Sequence, residues 1–241
     1  SPFSSGSVKS GAGSPICRAM GRVTVGGSVT ALWMHQMAPG AELEQFAVTE
    51  QERCWAAGLP AIRAHQFLTS RGWMRSCLAT LSGTSPLQVP LDAPPAAPPR
   101  LTAEWGYVSL SHCADAFLLG WSQQPIGVDL ERADRRLPAA AALMRRYFTE
   151  AEQSELEVLQ GDQLRRQVLD RWLVKEAAIK WQQGSLAQDL SCWEVSATLC
   201  GALHRGLNVQ VAAQLRSEAE WRLAVVVAEK QILQGSLLCL A

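Results

Sequence analysis

Two helix starts stand 100 residues apart: Thr49-Glu50-Gln51-Glu52 and Thr149-Glu150-Ala151-Glu152 each place a threonine at the cap and a glutamate at its third residue. This reciprocal pairing satisfies free amides at a helix N-terminus. At the same offset Arg71 falls on Arg171 and Arg75 on Lys175, so Ser70 to Arg75 overlies Asp170 to Lys175. Apolar, β-branched strand segments follow each helical stretch: Val108 to Trp121 in the first half; Trp193 to Ala197, Val209 to Leu215 and Trp221 to Ala228 in the second. The pattern predicts an α+β chain of two similar α/β subdomains, residues 26–123 and 124–241, joined near Ser122 to Pro125. A pseudo-twofold axis relates them, and the cleft between them is where a ligand is expected.

Within the first half the spacing predicts a strand over Val29 to His35, a helix from Thr49, a helix over Pro60 to Leu81, and strands over Tyr107 to Ser111 and Ala116 to Trp121. Pro86 to Arg100 holds six prolines and reads as an extended surface loop without regular structure. The first 41 residues contain no acid, and their Ser- and Gly-rich opening is read as a leader, residues 1–25, outside the fold.

Composition narrows the function classes. With 241 residues and 48% hydrophobic content the chain can bury a sizeable core. Acids and bases both number 22, so no global field draws the chain to nucleic acid or an anionic membrane, and any anion site must be local. The seven cysteines are scattered and never spaced CxxC, which argues for reduced thiols in a cytoplasmic compartment and against a disulfide frame or a zinc site. The apolar run Leu223 to Ala228, bounded by Arg222 and Glu229, is too short to span a membrane and reads as a strand.

Ile126-Gly127-Val128-Asp129-Leu130-Glu131 alternates as a strand, with Val128 and Leu130 on one face and Asp129 and Glu131 together on the other. Two carboxylates that close repel, so the pair either points into water or holds a cation. Oxygen ligands of this kind suit magnesium. A second cluster, Leu169 to Trp181, has helical period: Leu169, Trp172, Leu173 and Ala177 form an apolar stripe, and Glu176 and Lys180 share a neighbouring face at i and i+4. On its own that pair reads as an ordinary surface ion pair. A third carboxylate beside the amines of Lys175 and Lys180 is also what a metal-bound pyrophosphate needs.

At these residues the chain resembles the surfactin-type 4′-phosphopantetheinyl transferases of the holo-acyl-carrier-protein synthase superfamily. Their strand motif (I/V)G(I/V)D(I/L/V)E is matched by Ile126 to Glu131, their helix motif WxxKEAxxK by Trp172 to Lys180, and their upstream strand end by Ser109-Leu110-Ser111-His112. The likeness extends over roughly Pro60 to Ala228. It implies that Asp129, Glu131 and Glu176 hold magnesium, that His112, Lys180 and Ser111 contact the phosphates of coenzyme A, and that Lys175 supports the pyrophosphate or leaving group. The family's Gly-Lys-Pro segment upstream of the histidine is replaced by Pro98-Pro99-Arg100; Arg100 takes that charge from a shifted position, and Arg71 and Arg75 are further candidates for the nucleotide.

The implied reaction moves phosphopantetheine from coenzyme A to a serine of an apo acyl, peptidyl or polyketide carrier protein, with Glu176 as base and a monomer as the working unit. Met144 to Phe148, carrying Arg145 and Arg146, is expected either to receive the acidic carrier or to anchor the core before Thr149. Two other readings use the same residues: a magnesium-dependent phosphohydrolase acting on coenzyme A or a related diphosphate, and a degenerate homologue that binds carriers without transfer.

Overall fold

The computed structural model describes residues 18–25, 28–37, 46–137 and 139–228. Strands β1 (Arg18–Val25) and β2 (Ser28–Gln36) lead to helices α1 (Glu50–Ala57) and α2 (Ala61–Ser82). The short pair β3 (Leu91–Asp92) and β4 (Arg100–Leu101) follows, then β5 (Tyr107–His112), β6 (Ala116–Ser122) and β7 (Ile126–Arg132). Helices α3 (Ala140–Tyr147), α4 (Glu150–Leu156), α5 (Gly161–Gln182) and α6 (Leu186–Asp189) precede β8 (Trp193–Val195), β9 (Gly201–His204), β10 (Val209–Glu218) and β11 (Trp221–Ala228). Among the described residues no helix is long and apolar enough to cross a membrane.

Among the described residues every strand pair is antiparallel. One sheet runs β1-β2-β6-β5 and another β7-β11-β10-β9-β8, with β3-β4 as a separate ladder. The strand period decides what each face meets. Leu32, Met34 and Leu118 of the first sheet pack against Val128, Leu130, Leu223, Val225 and Val227 of the second. The opposite face of the first sheet, with Trp33, Leu119 and Trp121, is covered by Trp73, Met74, Cys77 and Leu78 of α2. The opposite face of the second, with Val211, Ala224 and Val226, is covered by Leu169, Leu173, Ala177 and Ala178 of α5. The long helices therefore lie outside and the two sheets face each other inside.

Both capping boxes form. Thr49 and Thr149 accept from the amides of Glu52 and Glu152, whose carboxylates accept from the threonine amides at 2.8 Å. Each glutamate is only 1% exposed. Each is also paired with a cation 23 positions on: Glu52 with Arg75 at 2.9 Å, and Glu152 with Lys175 at 2.8 Å. The cap glutamate thus fastens the short helix to the long one that follows.

Several expectations change. Residues 18–25, assigned to the leader, form a strand paired with β2, while residues 1–17 lie outside the described residues. The proline-rich stretch is more ordered than its composition suggests: Leu91 pairs with Leu101 and Asp92 with Arg100. Its carbonyls explain why. Val89 and Leu91 accept from Arg75, and Ala93 and Pro94 accept from Arg71, so two buried guanidinium groups satisfy backbone that has no full sheet to join. The apolar helical segment begun at Leu169 is the C-terminal part of a longer helix.

Gly127 is where α5 crosses β7. A Cβ there would strike the carbonyl of Ala177 and lie 2.6 Å from the amide of Trp181, both helix backbone. Backbone cannot rotate away as a side chain can. Gly127→Ala is therefore expected to cost about 3 kcal/mol through overpacking. Thermal denaturation should show the melting temperature falling; an unchanged value would mean that the helix rides further from the strand.

Candidate active site

Edge strands β5 and β7 meet at the seam between the sheets, and two serines bridge them. The Val128 amide donates to Ser109 Oγ at 3.0 Å, and the Leu130 amide donates to Ser111 Oγ at 3.2 Å. Both serines are buried. They occupy alternate positions of β5, so their hydroxyls satisfy amides of β7 that an edge strand would otherwise leave bare. Ser111 Oγ also donates to Asp129 Oδ1 at 2.7 Å. The hydroxyl expected at a coenzyme A phosphate is therefore engaged in holding a carboxylate.

Asp129 is 3% exposed, and its Oδ1 also takes a 2.6 Å ion pair from Lys180 Nζ. Glu131, on the same face of β7, is half-buried and pairs with Arg135. Glu176 comes from α5, one turn before Lys180. Burial, and then the charges of Asp129 and Glu131, push its carboxyl up to about 7 against the pull of Lys180 and a hydrogen bond from Trp172. Burial and Asp129 raise Glu131 as well, opposed by Arg135 and Lys180. Glu131 and Glu176 thus lie close enough to the charge of Asp129 to resist ionisation.

The donor set fits a hard divalent cation. Three carboxylates share a partly buried corner, and an ammonium already serves as countercharge on one of them. The groups are not fully drawn together, however. Among the described residues the ligand atoms gathered within 4.8 Å of one another belong to a different set, Asp189, Cys192 and His204.

Beside the carboxylates lies a cavity of about 550 Å³, formed by α2, the proline-rich loop, β5 and the C-terminal end of α5. Its wall includes Arg63, Arg71, His112 and Lys180 and, among the described residues, no acidic one. Burial, then Lys180, Arg71 and Arg63, push the His112 imidazole down, and burial lowers Arg71 to about 10. Cations kept this close to one another along a single wall suit a multiply charged anion.

The expected site residues therefore separate. Asp129, Glu131 and Glu176 sit together, and His112, Lys180 and Arg71 face the adjoining cavity. Lys175 does not reach it: the residue is 0% exposed, and its Nζ donates to Glu152 and to the carbonyls of Tyr147, Leu190 and Trp193. Arg75 is likewise consumed by Glu52, Val89 and Leu91. Arg100 is exposed on β4, and Pro98 and Pro99, not Arg100, belong to the cavity wall. At the proposed carrier patch Met144 and Phe148 are buried core, while Arg145 and Arg146 are exposed.

Arg63 was missed by the sequence reading. Arg63, Phe67 and Arg71 recur every four residues on α2, and the Arg71 guanidinium lies 4.3 Å from the centre of the Phe67 ring. That spacing places two arginines on one helix face, and the cavity gives the face its direction.

Residues 125–226 match the family model of the 4′-phosphopantetheinyl transferase superfamily. The matched segment contains Asp129, Glu131, Glu176 and Lys180, whereas Arg71 and His112 lie before it. No curated protein matches the chain. The match points to a transferase and to phosphopantetheine transfer in general.

Proposed function

We propose that the chain transfers the 4′-phosphopantetheine arm of coenzyme A to a serine hydroxyl of an apo carrier protein, in the manner of the surfactin-type enzymes. The observation that carries this reading is the juxtaposition of a carboxylate trio with a cation-lined cavity at the seam of the two sheets. Matching sheet orders, β2-β6-β5 and β7-β11-β10, and matching long helices, Ala61–Ser82 and Gly161–Gln182, support the reading of two related halves about a pseudo-twofold axis.

Arg63, Arg71, His112 and Lys180 hold the phosphates of coenzyme A. Asp129, Glu131 and Glu176 hold magnesium, which when bound neutralises charge developing on the diphosphate oxygens. The carrier serine oxygen bonds to the β-phosphorus, and the bond from that phosphorus to the bridging oxygen breaks, expelling 3′,5′-ADP. Glu176 takes the serine proton.

Release of 3′,5′-ADP from coenzyme A, measured with and without an apo carrier, tests the reading. Transfer requires the carrier, whereas release without it would indicate a hydrolase. Arg145 and Arg146 present exposed positive charge beyond the metal strand, suited to an acidic carrier helix. Reversing both charges should raise the Michaelis constant for the carrier about tenfold while sparing that for coenzyme A. An unchanged carrier constant would place the docking surface elsewhere.

A further inference from the structure

Beyond the end of α5 the chain turns through Gly184 and Ser185 into α6, and β9 runs alongside the strand that follows. Asp189 closes α6, Cys192 lies in the next turn and His204 ends β9. A carboxylate oxygen, a thiol sulfur and an imidazole nitrogen from these residues lie within 4.8 Å of one another. His204 is 5% exposed. Its Nε2 has no hydrogen-bond partner and stands 3.5 Å from Asp189 Oδ1.

The surroundings hold each group in place. Asp189 Oδ2 accepts from the Ser185 amide at 2.7 Å, leaving Oδ1 toward the cluster. Trp193 meets the His204 ring edge-on with centroids 5.1 Å apart. The Cys192 thiol donates to the Gln188 carbonyl at 3.4 Å. A buried nitrogen without a partner calls for something to complete it.

We propose that Asp189, Cys192 and His204 form a binding site for a borderline divalent cation, zinc by its ligand set, separate from the carboxylate trio. Sulfur, nitrogen and oxygen from three side chains are ligands zinc accepts, with a fourth position left open. Magnesium, which wants oxygen alone, is poorly served. The cysteine spacing hid this site, because its ligands come from a helix end, a turn and a strand rather than a CxxC pair.

Binding rearranges two protons. The Leu207 amide donates to His204 Nδ1 at 3.0 Å, so the neutral ring carries its proton on Nε2. Coordination through Nε2 moves that proton to Nδ1 and breaks the Leu207 bond, while the Cys192 thiol releases its proton to solvent. The disturbance falls on the exposed turn 205–208. Gly184 abuts Asp189 and also lines the cavity, so the ion ties the end of α5, which carries Lys180, to β9.

Titration of the full chain with cobalt(II), a spectroscopic substitute for zinc, tests the site. An equimolar endpoint with thiolate-to-cobalt charge-transfer absorption, bleached by zinc, is expected. Cys192→Ser should abolish that absorption, and Asp189→Asn should weaken cobalt binding about tenfold. The double variant Asp129→Asn/Glu176→Gln should leave both unchanged. Zinc-edge X-ray absorption of the unaltered protein should show one sulfur neighbour. A zinc shell without sulfur, or a charge-transfer band that survives Cys192→Ser, would overturn the assignment.

Discussion

Glu152→Ala lowers the melting temperature by roughly 10 °C, because it strands a buried ammonium. Lys175 is fully enclosed; burial pulls its pKa down while Glu152 holds it up. Without that carboxylate the amine keeps only carbonyl acceptors. The Thr149 and Val195 amides lose their acceptor too. Breaking one side of such a pair costs about 3–5 kcal/mol, a large part of the stability of an ordinary domain. Replacing both partners with apolar residues, Glu152→Leu with Lys175→Met, should recover part of the loss, since no unpaired charge then remains. If Lys175 instead served the pyrophosphate, Glu152→Ala would reduce activity and leave the melting temperature nearly unchanged.

Glu176→Gln separates chemistry from binding. Turnover should fall about 100-fold or more with the loss of a general base, while the Michaelis constant for coenzyme A, set by the cavity cations, changes much less. Equal losses in both would contradict the role. The same variant carries a stability signature in the metal-free protein. The folded carboxyl is raised to about 7 from the ordinary value of 4.5, so between those values the folded state binds more protons than the unfolded. Its ionisation therefore erodes stability as pH rises through the window. Glutamine removes that erosion: the variant should match the parent near pH 4.5 and exceed it above pH 7 by about 2 kcal/mol, allowing for partial exposure. Adding magnesium should raise the melting temperature of the parent far more than that of the variant.

The two helix starts were legible because capping chemistry is local: a threonine and a glutamate three residues later mark a helix start whatever lies around them. The carboxylate strand was legible for the same reason, its alternation deciding the face. What the sequence concealed was the fate of the cations. Arg75 and Lys175 look like site residues in a chain poor in lysine, yet each pairs with the cap glutamate 23 positions earlier, a relation visible only once the helices pack. Ser111 carries a structural role that the sequence did not show, donating to Asp129 and accepting from the Leu130 amide. A strand-end hydroxyl near a phosphate motif and a hydroxyl satisfying a neighbouring edge strand are identical in sequence. The cavity, lined from α2, a proline-rich loop and α5, is a tertiary object, so Arg63 had no local mark.

The cavity and the trio are joined in one claim: cations hold a diphosphate where carboxylates and a carrier serine meet. Intact-mass measurement of an apo carrier incubated with this protein, coenzyme A and magnesium tests it most directly. A carrier heavier by one phosphopantetheine arm, the gain disappearing with Asp129→Asn, is the predicted result; an unmodified carrier in the presence of folded protein would contradict it.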